Sequence, residues 1–388
     1  MEIYKKVVFT LVAILLGFFS ISASAEIEIF SNSGWEAGVR GRLSISCSIT
    51  DATTGDGLGS EGSSTACGVG RTLLPSEVGL WANTPYWSTA LGQVQVSGVI
   101  DLAYTTNFHQ DDGTGTEIRN GFVKLELTPE GGSGPWKLTL GNQLASFSDV
   151  ILLDHTLNGV GVPASPESVD TTGLGHIGTG YLFDLGFSFG AKLATASFHG
   201  FNLEVGVYNA STIPRLDSSP RYEGQLNYAH QLGGAGVKAW LTAMYQANTY
   251  QQNNVDIVGF DGGISVNKGP YGALVYGYTG EGIGSILLNK FFSETVGTPT
   301  AFGGLGQIHY KTVFLTKATK LALSYGISAV DRSELGQVKN RQSIIGGAYF
   351  DLSDKVNLFL EGGRAWSKIV GSRNAASNFG SLGFNLNF

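Results

Sequence analysis

Long apolar runs are scarce in this chain of 388 residues. After the first 25 residues, no stretch reaches the roughly 20 consecutive apolar positions that a membrane-spanning helix needs. Cysteine is nearly absent: Cys47 and Cys67 are the only two, too few to complete a tetrahedral metal site by themselves. Charge is sparse at 14% and short of the basic sign, with 24 Lys and Arg against 31 Asp and Glu. That balance argues against nucleic acid as a partner.

The one apolar run, Val7–Phe19, follows Lys5 and Lys6 and precedes Ala23-Ser24-Ala25. A basic n-region, a short h-region and an A-x-A site define an export signal, with cleavage expected after Ala25. Residues 26–388 then form one expected domain, since no linker or composition shift divides them. Dropping Glu2, Lys5 and Lys6 leaves 22 basic and 30 acidic residues, a net charge of −8. In an exported protein Cys47 and Cys67 can bridge. Closing the Gly-, Ser- and Thr-rich loop between them is worth roughly 3 kcal/mol in the chain-entropy model.

What the chain has in quantity is glycine, 56 residues, and alternation. Val94, Val96, Gly98, Ile100, Leu102 and Tyr104 alternate with polar Gln95, Ser97 and Asp101. Ala37, Val39, Gly41, Leu43 and Ile45 alternate with Arg40, Arg42, Ser44 and Ser46. A period of two marks strands with one apolar and one polar face. The last stretch, Ser377–Phe388, reads SNFGSLGFNLNF and ends on an aromatic. Sixteen such segments are expected, near 35–47, 77–83, 91–106, 117–127, 136–142, 179–197, 201–209, 220–230, 236–248, 255–267, 271–279, 301–314, 320–330, 338–351, 356–366 and 377–388. Short connections alternate with long ones (48–76, 143–178, 280–300), and Trp35, Trp87, Trp136, Trp240, Trp366 and Phe388 lie near strand ends as an interfacial girdle would. The fold class expected is all-β, a transmembrane antiparallel β-barrel in which an even strand count lets first and last strands pair.

Three stretches resemble the general porins of Gram-negative outer membranes. Arg119–Leu125 (RNGFVKL) is similar to that family's R-x-A-F-V-G-L strand. Leu138–Gln143 (LTLGNQ) is similar to V-x-L-G-R-Q, with Asn142 in place of the usual basic residue. Ser197–Tyr208 (SFHGFNLEVGVY) is similar to the hairpin F-x-G-F-x-x-x-x-x-Y. The terminal Phe388 resembles the signal read by the barrel-assembly machinery. The resemblance implies a sixteen-stranded barrel in outer-membrane lipid, usually a homotrimer. It also implies that the long third outer loop, residues 143–178, folds into the lumen and narrows a channel for passive diffusion of ions and small hydrophilic solutes.

In that family, acids on this loop face basic residues on the opposite wall. The acids here are Asp149, Asp154, Glu167 and Asp170; the basic candidates are Arg40, Arg42, Arg119, Lys137 and Lys192. Arg40 and Arg42 have an independent argument: facing lipid would cost each about 2–4 kcal/mol, so they belong in the lumen. For Arg119 the alternation with Val123, Leu125 and Leu127 points outward while the resemblance points inward; a bulge or a strand end would reconcile them. The acidic balance leans towards weak cation preference.

No cofactor, metal site or catalytic residue is expected, and the protein is not read as an enzyme. Gly173–Gly178 fits G-x-G-x-x-G, but in a glycine-rich chain without a βαβ context it reads as loop. The six histidines form no H-E-x-x-H. Two other readings remain open: a substrate-selective channel, which needs aromatics or clustered basic residues along the path, and a plugged barrel acting as an adhesin or surface-structural protein. A barrel hydrolase is a third, since a site assembled from separate strands leaves no linear motif.

Overall fold

A computed structural model describes residues 26–53, 62–69, 76–106, 114–132, 134–147, 149–156, 177–178, 187–210, 217–250, 253–254, 256–283, 298–314, 317–331, 333, 338–371 and 375–388. The export signal over 1–25, Glu167, Asp170 and the start of the sixth expected strand lie outside them.

Sixteen strands make the wall: β1 (Trp35–Thr53), β2 (Ser76–Asn83), β3 (Gly92–Thr106), β4 (Thr114–Thr128), β5 (Trp136–Leu144), β6 (Phe187–Ala194), β7 (Phe201–Tyr208), β8 (Arg221–Leu232), β9 (Ala235–Gln246), β10 (Ile257–Lys268), β11 (Tyr271–Glu281), β12 (Thr300–Phe314), β13 (Lys317–Val330), β14 (Val338–Asp351), β15 (Val356–Ile369) and β16 (Ala375–Asn387). Each pairs antiparallel with the next, and β16 pairs with β1 from Arg42↔Asn387 to Thr53↔Ala376, which closes the barrel. All sixteen sequence segments are strands. No helix among the described residues is long and apolar enough to cross a membrane.

Among the described strands outside these sixteen, two pair with β1. Glu26–Asn32 turns at Ser33-Gly34 and runs back along β1, with Glu26 opposite Arg40. It continues the line of β16, and Phe388 sits at the join, exchanging backbone hydrogen bonds with Gly41 at 2.6 and 2.9 Å. Gly41 faces the Phe388 ring so closely that a Cβ would collide with it. Gly62–Val69 also pairs with β1, extending the line of β2 towards the loop end. Its register puts Cys67 opposite Cys47.

The alternation sets the faces. On β11, Val275 is 61% exposed while Tyr276 is 3% exposed. On β8, Tyr222 and Leu226 face out, and Arg221, Glu223 and Gln225 face in, all three buried. A chain that buries charge inside and exposes leucine outside matches lipid around it and water within. Trp35, Trp87 and Trp136 stand exposed on strand ends as expected. Trp240 does not: it points inward and is buried, because it shares the face of Thr242 and Met244 on β9 and stacks with Tyr276, ring centroids 6.2 Å apart.

Candidate functional site

The inner wall over β9–β12 is partly apolar. Trp240, Met244, Leu274, Tyr276, Tyr278 and Leu305 form a buried cluster there. What covers them is the beginning of the 143–178 segment. Its residues Phe147 and Val150 belong to the same cluster, and Leu153 packs against it. Fully burying an apolar side chain of this size gains about 1.5–3 kcal/mol, so Phe147 and Val150, with a smaller share from partly buried Leu153, hold the segment to the wall. A short 3-10 turn, Asp149–Leu153, carries two of these residues.

Polar anchors fix the same path. The backbone N–H groups of Ser146 and Phe147 both donate to Glu223 Oε2, at 2.7 and 2.9 Å. Glu223 Oε1 lies 2.8 Å from Arg221 Nε, both side chains fully buried. Further along, His155 N donates to Gln307 Oε1 at 2.9 Å, and Thr156 Oγ1 and Ser324 Oγ share a hydrogen bond of 2.6 Å. At the far end Gly178 N donates to Ser328 Oγ at 2.8 Å. Gly178 has φ +85° and lies flush on the backbone of Gly304 and Gly326, where a Cβ has no space. Residues 157–176 lie outside the described set.

Asp149 sits beside Glu204 and Asp261 and accepts from Gln225 Nε2 at 3.3 Å. Burial, reinforced by the Asp261 charge, pushes its carboxyl up to about 7. Asp154 is buried and accepts from the N–H and the hydroxyl of Thr156, both at 2.8 Å. Burial raises it to about 6 against those two hydrogen bonds. It acts as a turn cap within the segment, with Lys320 as a nearby cation.

The five basic candidates all reach the lumen side of β1–β6. Arg40 grips Asp101 with two contacts, Nε–Oδ1 at 3.0 Å and Nη2–Oδ2 at 2.6 Å, and Asn120 donates to the same carboxylate at 2.8 Å. Arg42 lies 3.1 Å from Glu77. Lys137 lies 3.7 Å from Glu126, which Lys124 approaches at 2.8 Å. Lys192 lies 3.7 Å from Glu204. Arg119 is the extra residue of a bulge, since Asp101 pairs with Asn120 and Leu102 with Ile118. The bulge frees it from the outward register, and its guanidinium stacks 5.4 Å over Phe187. Four of the five are thus matched by carboxylates of the wall itself.

Sequence reading did not single out those wall carboxylates, nor Arg221. It also missed a second basic group on β12 and β13. Lys311 and Lys320 are direct cross-strand partners. Lys320 Nζ lies 3.2 Å from His155 Nδ1, whose ring meets His309 edge-on at 4.6 Å. Burial and the neighbouring cations push His155 down to about 3, so it is neutral and Nδ1 accepts from the ammonium. The signal was available: Gln307, His309 and Lys311 alternate with Ile308 and Tyr310.

No protein-family model matches the chain, and no curated protein sequence matches it. Solved structures do. The outer membrane channel DcaP of Acinetobacter baumannii is 13% identical, with 93% of this chain and 100% of that one covered and a TM-score of 0.65. The anion-selective porin from Comamonas acidovorans is 14% identical over 91% and 100%, at 0.62. A trimer form of OmpT, an outer membrane protein of Vibrio cholerae, is 14% identical over 92% and 100%, at 0.56. Likeness of this kind, at these identities, fixes architecture: the chain has the sixteen-stranded barrel fold of outer-membrane porins.

Proposed function

We propose that the protein is an outer-membrane porin of a Gram-negative bacterium, a water-filled channel for passive diffusion of ions and small hydrophilic solutes. One observation carries the reading. A closed barrel with exposed apolar side chains outside also holds a ring of charge inside, with Arg40–Asp101, Arg42–Glu77 and Lys192–Glu204 lining one half. Charged rings bias a pore by sign, and opposed charges across a gap order the water that apolar solutes must strip away.

The rest of the reading follows from that frame. The signal over 1–25 is removed after Ala25, leaving 26–388 as a single barrel domain. The barrel-assembly machinery recognises the last strand with Phe388. The whole of 143–178 lies in the lumen and sets the constriction, with Asp149, Asp154, Glu167 and Asp170 on one side and the β1–β6 cations on the other. Cys47 and Cys67 form a disulfide, supported by their direct opposition in register, which holds Cβ atoms at about 4.5–5.5 Å or closer in the narrow pairs. The assembly is a homotrimer. No chemistry is catalysed.

Single-channel recording in a planar bilayer tests this. Ohmic steps arriving in threes support the trimeric porin. Silence from folded, inserted protein refutes it in favour of a plugged adhesin-like barrel. A substrate-selective channel is the second reading, and the Lys311–Lys320 pair favours it.

A further inference from the structure

Like charges placed directly opposite on neighbouring strands repel and destabilise a sheet. Lys311 on β12 and Lys320 on β13 are such a pair. Both face the lumen, three residues from the turn that joins their strands. The cations of β1 and β6 have wall carboxylates within ion-pair distance; for Lys320 the carboxylates Asp351, Glu361 and Asp154 stand near but outside that distance. Among the described residues neither lysine forms an ion pair. The nearby carboxylates are already engaged by neutral donors: Asn357 Nδ2 donates to Asp351 at 2.9 Å, and Tyr349 Oη to Glu361 at 2.6 Å. The Lys320 ammonium donates to neutral His155 and stands 5.0 Å over the Tyr349 ring.

The two lysines share a recess of about 440 Å³ at the turn end of the lumen. Arg42, whose Nη2 lies 3.1 Å from Glu77, borders it from β1, and Thr312, Asn385 and Asn387 supply neutral hydrogen-bond donors. Three cations line it against one carboxylate, Asp351, which Asn357 already engages, and amide and hydroxyl groups supply most of the remaining polar lining. That combination suits a small oxyanion: charge-assisted hydrogen bonds from two ammoniums and a guanidinium, with uncharged donors for the remaining oxygen. An anion seated between Lys311 and Lys320 would turn their repulsion into two attractions.

We propose that this recess is a binding station for small oxyanions, carboxylate or phosphate, on the wall away from β2–β6. It deepens the channel reading and rests on it for its role in permeation, but not for binding itself. The station would raise the local anion concentration at the turn-end mouth and oppose the cation preference expected from net charge.

The test uses full-length protein folded in detergent, titrated calorimetrically with inorganic phosphate in one series and acetate in another. Saturable binding of at least one is expected, and whichever saturates identifies the class. The double variant K311Q/K320Q should weaken it about tenfold or more, since charge-assisted hydrogen bonds are worth about 1.5–3 kcal/mol each. K368Q removes one charge at the opposite, loop end of β15 and should leave it unchanged. Heat-modifiable migration on gels verifies that each variant is a closed barrel. No saturation by either anion, or equal affinity in the double variant, overturns the proposal. In bilayers under a KCl gradient, the double variant should shift the reversal potential towards cation selectivity. Saturable binding by a barrel that never conducts would keep the station and refute the channel.

Discussion

Replacing Glu223 with Gln tests what holds the 143–178 segment in place. The carboxylate does two jobs: Oε2 accepts both N–H groups of Ser146 and Phe147, and Oε1 balances Arg221. Hydrogen bonds to a charged group contribute about 1.5–3 kcal/mol each. Removing one partner of a buried ion pair costs about 3–5 kcal/mol, because the remaining charge is stranded. Both residues are fully buried in their side chains, so little water is at hand to relieve Arg221. E223Q should therefore lower barrel stability by several kcal/mol, read as an earlier midpoint in guanidinium or in heat-modifiable gel migration. It should also loosen the segment, read as added current noise or altered unitary conductance. The double variant R221Q/E223Q separates the two effects. With both charges of this pair removed, stability should recover most of the loss, while the noise should persist. If E223Q matches wild type in both readouts, Glu223 is not the anchor. If the double variant restores quiet conductance, the segment is held by the apolar contacts of Phe147 and Val150 alone.

Three further outcomes are expected. The carboxyl of Asp149 is raised from 3.8 to about 7 in the docked segment, so docking holds the proton more tightly than an undocked loop does. That stabilisation is full below pH ~4 and is lost as pH rises towards about 7; at about 1.4 kcal/mol per unit it amounts to ~4 kcal/mol. Current noise should rise over this window and D149N should flatten the rise; a flat wild-type profile refutes the assignment. G178A should disrupt the return of the segment, since φ +85° and the flush contact with Gly304 and Gly326 both exclude a Cβ; a midpoint within ~0.5 kcal/mol of wild type would contradict it. Reduction, or C47S, should lower stability by about 2–4 kcal/mol through loss of the Cys47–Cys67 bridge. A non-reduced peptide map showing two free thiols would sink that expectation.

How far the sequence reaches is visible strand by strand. Alternation located the wall because lipid outside and water inside impose a strict period of two, and Leu321, Leu323 and Tyr325 against Ala322 and Ser324 obey it. It failed where a face serves neither solvent. Trp240 is apolar yet inward, because the segment carrying Phe147 covers it, and that contact joins residues far apart in the chain. Arg119 could not be placed from pattern alone, since a one-residue bulge reverses the face and leaves no mark on composition. The cations were legible as types, but their partners come from other strands, Glu77, Glu126 and Glu204 from the adjacent one and Asp101 from two strands away, whose register only the fold supplies. Lys311 and Lys320 show the opposite case: their inward placement could be read from alternation, but their direct opposition could not.

The seam between β16 and β1 has a kinetic consequence. Its side-chain bond from Ser44 Oγ to Asn385 Oδ1 spans 341 positions of sequence. No shorter stretch of chain can supply that contact, so until the final strand arrives the sheet has two open edges with unpaired N–H and C=O groups. Such edges invite pairing with any other strand at hand, and contacts of this span are the slowest to form. The barrel is therefore most exposed to misassembly as an almost finished sheet, and loss of the last dozen residues should leave an aggregation-prone ribbon rather than a slightly smaller pore.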